Sequence, residues 1–133
     1  MLITDIDHVQ IAAPAGCEPA AREFFGRLLG LEEIEKPELL RVRGGCWFKV
    51  GTRQLHIGVE ENFRPALKSH PAFAVEDIEA AFSALEDAGV RCEWDVAISN
   101  IRRFYATDPW AIALNSPSQL RKRSVALVHR ISR

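Results

Sequence analysis

Apolar and polar residues alternate from Ile6 to Ala13, with Val9 and Ile11 on one side and His8 and Gln10 on the other. A period of two marks a half-buried strand. Pro14, Ala15 and Gly16 break it. From about Pro19 to Leu29 the period becomes helical, through Ala20, Ala21, Phe24, Phe25, Leu28 and Leu29. Pro19 suits a first helical turn and Gly30 the position past the end. Strand-like segments follow near 31–36, 42–50 and 53–60, separated by Pro37, the Gly44-Gly45 pair and Gly51. The order then restarts. His70 to Val75 reads as a strand, and Asp77 caps a helix with the stripe Ile78, Ala81, Phe82 and Leu85. Gly89 ends that helix, and strands follow near 90–96 and 101–107. Setting His8 against His70 brings Gly30 close to Gly89, a weak internal duplication judged by order. Two βαβββ modules, about 1–62 and 68–116, predict one α+β domain over 1–133, its helices on one sheet face and the other face curled into a cup.

Strand parity decides which side chains can meet. His8 and Gln10 point away from Val9 and Ile11. His56 and Gln54 point away from Leu55, Ile57 and Val59. His70, Ala72 and Ala74 point away from Phe73 and Val75. The larger apolar residues suit a helix-covered face, so three of the chain's four histidines fall on the opposite face. Neutral imidazole is a good ligand for zinc, iron, nickel or manganese, and strands hold such rings rigidly. The competing reading makes each histidine a lone polar residue near a strand end. No HExxH-type spacing favours either.

Three cysteines, Cys17, Cys46 and Cys92, at wide spacings exclude a disulfide framework and a CxxC zinc site, and suit a reducing cytoplasm. No apolar run is long enough to cross a bilayer, and the start MLITDIDHVQ lacks a secretory signal pattern, so no membrane partner is expected. No nucleophile triad, phosphate-binding glycine loop or dinucleotide fingerprint is visible.

The stretch DHVQIAAP followed by AAREFFGRLLGLEE resembles the opening of vicinal-oxygen-chelate proteins, the superfamily of glyoxalase I, bleomycin-resistance proteins and extradiol dioxygenases. HPAFAVEDIEAAFSALEDAGV resembles the opening of their second module, and RRFYATDPW the run into their last strand. The resemblance covers residues 5–110. It implies an open, cup-shaped eight-stranded barrel, a homodimer, and a divalent metal held by the first and last strands of each module. Position by position it implies His8, His56 and His70 as metal ligands, and three-ligand members omit the place of His56. The fourth ligand, normally a glutamate after a DPxGNxxE-like turn, falls here on Asn115, a weaker neutral donor. Gln10, Arg103 and Tyr105 are candidates for contact with a small-molecule substrate. The implied activity is that of a metal-dependent lyase, isomerase or dioxygenase acting on neighbouring oxygens. The alternative is a metal-independent drug-binding protein of the bleomycin-resistance type, with Trp47, Phe48, Trp94 and Trp110 as aromatic walls.

Residues 111–133 stand apart. Residues 1–110 carry 12 Lys and Arg against all 18 acids, whereas the tail has Arg121, Lys122, Arg123, Arg130 and Arg133 and no acid. A basic tail suits nucleic acid or a membrane surface, but no aromatic or glycine spacing accompanies it, so it reads as a solvated terminus and no nucleic-acid partner is expected. A shifted reading frame also accounts for it. Residues 111–116 can be encoded GCA ATC GCC TTG AAT TC, and one added G regroups these bases to Gly-Asn-Arg-Leu-Glu-Phe, the expected motif. The last strand is therefore expected to be altered, with 117–133 as an atypical tail in which Val125 to Val128 form a second apolar run. The nucleotide sequence of the gene tests the idea.

Overall fold

The computed structural model describes residues 1–111 and 124–130. The chain divides into two compact units, Met1–Arg64 and Pro65–Arg133. Unit 1 runs β1 (His8–Ala13), α1 (Glu18–Ala21), a π-helical continuation (Arg22–Leu28), β2 (Glu32–Ile34), the one-turn α2 (Glu38–Arg41), β3 (Cys46–Val50) and β4 (Arg53–Val59). Unit 2 runs β5 (Ala72–Ala74), α3 (Ile78–Asp87), β6 (Cys92–Asp95), β7 (Ile101–Thr107) and β8 (Ser124–Arg130). Each unit carries one four-stranded mixed sheet, in the order β1-β4-β3-β2 or β5-β8-β7-β6. First and last strands of a unit pair in parallel, and the remaining neighbours are antiparallel. This is the expected α+β class, with the same strand order in both halves.

The parity reading fits the packing. In unit 1, Leu55, Ile57, Phe48 and Cys46 share the face on which Phe24 and Phe25 are buried. The Phe25 and Phe48 rings lie 5.9 Å apart. Phe48 is therefore a core residue rather than a wall for a ligand. Burial rises along β1, so Val9 stays 42% exposed while Ala13 is fully buried. In unit 2, Phe104 and Leu127 are register partners on the helix side. Phe82 of α3 stacks on Trp94 at 4.7 Å and meets Phe104 edge-on at 5.0 Å. Trp94 is thus half-buried against α3, with the Arg102 guanidinium 4.5 Å from its ring, and Trp110 is buried. Asp77 caps α3 as expected, its carboxylate accepting from the Ala80 N–H at 2.9 Å.

Three boundaries differ from the sequence pattern. The segment 42–50 becomes a strand only at Cys46, because Gly44 and Gly45 both adopt left-handed backbone (φ 71° and 80°). A Cβ at Gly45 would lie 2.0 Å from the Ile57 carbonyl oxygen, so the strand entry is glycine-bound. β5 starts at Ala72, which leaves His70 two residues ahead of it. The last strand, expected before residue 117, is built instead from Ser124–Arg130. The apolar run Val125–Val128 takes the ladder positions between β5 and β7. Asn115 and residues 117–123 lie outside the described residues. Among the described residues no helix is long and apolar enough to cross a membrane.

Candidate functional site

On the face of unit 1 away from the helices, three rings form a column across β3, β4 and β1. Trp47 and His56 are register partners and stack in parallel, with centroids 3.8 Å apart. His56 and His8 stack at 4.1 Å and 17°. Gln10 is the register partner of His56 on the other side and lies against Gly58, where a Cβ would come within 2.9 Å of the Gln10 amide nitrogen. The structure thus brings together His8, His56 and Gln10, as parity predicts.

The ring nitrogens of the two histidines differ in state. The Asp7 carboxylate sits 2.7 Å from His8 Nδ1, which places the ring proton there and leaves the Nε2 lone pair available. The Gln54 Oε1 sits 2.8 Å from His56 Nε2, which places the proton on that nitrogen instead. His56 is 5% exposed, and burial, followed by the nearby His8, pushes its pKa down. A folded-state pKa below the unfolded value means the unfolded chain takes up the proton first as pH falls. The His56 contribution is therefore complete above about pH 6.5 and declines below it. The urea midpoint should fall between pH 7 and pH 5. His56→Phe, which keeps a ring in the column, should flatten that slope; an unchanged slope would remove His56 as its source.

In unit 2 the corresponding face carries a cavity beside the buried Ala126. A cavity of about 380 Å³ is lined by Leu67, Lys68, His70, Arg91, Glu93, Tyr105 and Thr107. His70 donates from Nδ1 to the Lys68 carbonyl at 2.7 Å, which again leaves Nε2 with the lone pair. Its ring meets Tyr105 edge-on at 5.2 Å. Arg103 lies two residues along β7, paired with Asp95 at 2.6 Å, its guanidinium 5.9 Å from the Tyr105 ring. His70, Tyr105 and Arg103 are thus neighbours. Sequence reasoning missed Lys68, Arg91, Glu93 and Thr107. The alternation of Thr107 with Ala106 and of Glu93 with Trp94 was the available signal.

Register shows why the two faces carry different side chains. The row Gln10–His56–Trp47–Ile34 of unit 1 corresponds to Ala72–Ala126–Tyr105–Glu93 of unit 2. A methyl group at Ala126 thus occupies on β8 the place that His56 occupies on β4, so no second ring can stack there. Among the described residues no group of three or more His, Cys, Asp or Glu is arranged to hold a metal ion. Burial pushes the thiols of Cys46 and Cys92 up to about 12 and about 11, so neither supplies a thiolate near neutral pH.

Comparison with known proteins follows this geometry. Residues 5–110 match the model of the Glyoxalase/Bleomycin resistance protein/Dioxygenase superfamily. A glyoxalase family protein from Bacillus anthracis is 43% identical, with 98% of each chain covered and a TM-score of 0.86. The fosfomycin resistance protein FosX from Listeria monocytogenes is 14% identical over 96% of this chain and 94% of its own, with a TM-score of 0.69. Lactoylglutathione lyase from Agrobacterium tumefaciens is 15% identical over 97% and 96%, with a TM-score of 0.66. No curated protein sequence matches. The duplicated βαβββ order, the match over residues 5–110 and the likeness across nearly the whole chain together mean that this protein belongs to the Glyoxalase/Bleomycin resistance protein/Dioxygenase superfamily.

Proposed function

We propose that the chain binds a small molecule bearing neighbouring oxygens, and that His8 and His70 each offer a ring nitrogen as ligand to a divalent ion such as zinc, iron, nickel or manganese. The observation that carries this reading is the shared state of those two rings. Each has Nδ1 tied to an oxygen acceptor at 2.7 Å and Nε2 left as the donor atom. An outer acceptor holding the far ring nitrogen is the usual support of a metal-bound histidine. His56 does not fit as a ligand, because its Nε2 faces Gln54 and its ring lies between Trp47 and His8. Parallel stacked rings also direct their lone pairs side by side rather than to one point. When bound, the ion would polarise adjacent oxygens and stabilise developing negative charge, the chemistry of a lyase, isomerase or dioxygenase. Gln10 and Tyr105 then offer hydrogen bonds to the ligand, and Arg103 a charge fixed by Asp95. The family resemblance favours a homodimer.

Titration of the metal-free protein with nickel alone tests the reading. His8→Ala and His70→Ala should each weaken binding roughly tenfold or more, since even lost outer support costs that much. His56→Phe should leave it within about threefold, an effect of less than 1 kcal/mol. Equal affinity in the wild type and the His8→Ala/His70→Ala double variant would refute it. A specific feature favours the second reading, metal-free sequestration of the ligand: β8 offers the apolar Ala126 at the place that corresponds to His56 on β4. Stoichiometric ligand binding in the presence of chelator, unchanged by nickel, would support that reading over the first.

A further inference from the structure

The cavity of unit 2 carries a charge pattern that the metal reading does not use. Lys68 and Arg91 both line it. Among the described residues neither side chain makes an ion pair. Elsewhere the chain pairs its arginines closely: Arg22 with Glu33, Arg27 with Glu23, Arg53 with Asp5, Arg102 with Glu79 and Arg103 with Asp95. Arg91 and Thr107 are held side by side, the Thr107 N–H donating to the Arg91 carbonyl at 2.9 Å. Tyr105 stands next along β7, opposite Glu93. Among the described residues, two cations, a hydroxyl and a phenol therefore face one hollow, with one carboxylate beside them.

We infer that this hollow takes the oxyanion of a small organic ligand, a carboxylate or phosphonate, with Arg91 and Lys68 supplying charge and Thr107 and Tyr105 hydrogen bonds. Arg91 offers a planar fork that matches two oxygens, and Lys68 a compact point charge. Glu93 sets the other end of the ligand, which must carry a hydroxyl or ammonium to sit beside a carboxylate. The inference rests on the small-molecule reading above but not on the metal.

Tyr105 is the only tyrosine in the chain, so its ring resonances report on the cavity without ambiguity. Methylphosphonate titrated into chelator-treated protein should shift them saturably, and glycerol should not. Arg91→Gln should weaken that binding about tenfold, the scale of one charge-assisted hydrogen bond. Lys68→Gln should weaken it less, Arg91→Lys should retain part of it, and Glu93→Gln should tighten it. A shift that survives both Arg91→Gln and Lys68→Gln unchanged, or none at all, overturns the inference. Because chelator is present, failure here leaves the nickel titration standing, and failure of the nickel titration leaves this one standing.

Discussion

Gly45→Ala should abolish stable folding of unit 1. The residue has φ of 80°, and the added methyl would meet the Ile57 carbonyl oxygen at 2.0 Å and its carbon at 3.0 Å. Left-handed backbone alone costs a non-glycine residue about 1–2 kcal/mol. The clash is with backbone rather than a flexible side chain, so β3 and β4 must part at the register pair Cys46–Ile57. Overpacking of that kind adds about 1–3 kcal/mol or more. The Gly45 N–H also donates to Glu18 at 2.7 Å and would be pulled off that partner. A total loss of about 3–5 kcal/mol approaches the whole stability of a small domain. Gly51→Ala is the control, since φ is 57° there and nothing lies within 4 Å of the added carbon. It should cost only about 1–2 kcal/mol. Urea denaturation of both variants checks the difference, and a loss at Gly45 no larger than at Gly51 refutes it.

Ala126→Glu should strengthen the proposed binding of a divalent ion while weakening the metal-free protein. Ala126 is 2% exposed and sits on β8 between Ala72 and Tyr105. A carboxyl group buried there without a partner costs about 1–3 kcal/mol. The melting temperature without metal should therefore drop by several degrees. A divalent ion held by His70 as proposed would supply the missing partner and gain an anionic ligand. Affinity about 100-fold tighter corresponds to roughly 2.7 kcal/mol of added stability once the ion saturates the site. Nickel should thus raise the melting temperature of the variant well above the shift seen in the wild type. Equal shifts would mean that this position does not face the ion.

Much of this was readable from alternation alone. The period of two placed His8, Gln10 and His56 opposite the core, because side-chain direction in a strand follows from sequence position without tertiary information. The first long helix and α3 followed from apolar spacing, and the ends of α3 from Asp77 and Gly89, whereas the one-turn α2 was not read. What alternation could not supply was register. That His56 stacks on Trp47 depends on which residues of β3 and β4 are opposed, a consequence of the two-residue Gly51-Thr52 turn. Likewise, the place of the fourth ligand was read from a motif at Asn115, whereas the ladder is filled by Val125–Val128. A run of β-branched and aliphatic residues can occupy a central strand wherever the chain is long enough to deliver it. The states of the imidazole nitrogens were equally invisible, since they depend on Asp7, Gln54 and the Lys68 carbonyl being within hydrogen-bond reach.

The central place of β8 has a consequence for biogenesis. The sheet of unit 1 closes with Val59, so all its strands are available early in translation. The sheet of unit 2 needs residues 124–130 to join β5 to β7. Until they leave the ribosome, β5 has no neighbour and one edge of the β6–β7 hairpin stays bare. A nascent chain stalled short of residue 124 would carry one finished half and one sticky half, the kind of species on which chaperones act.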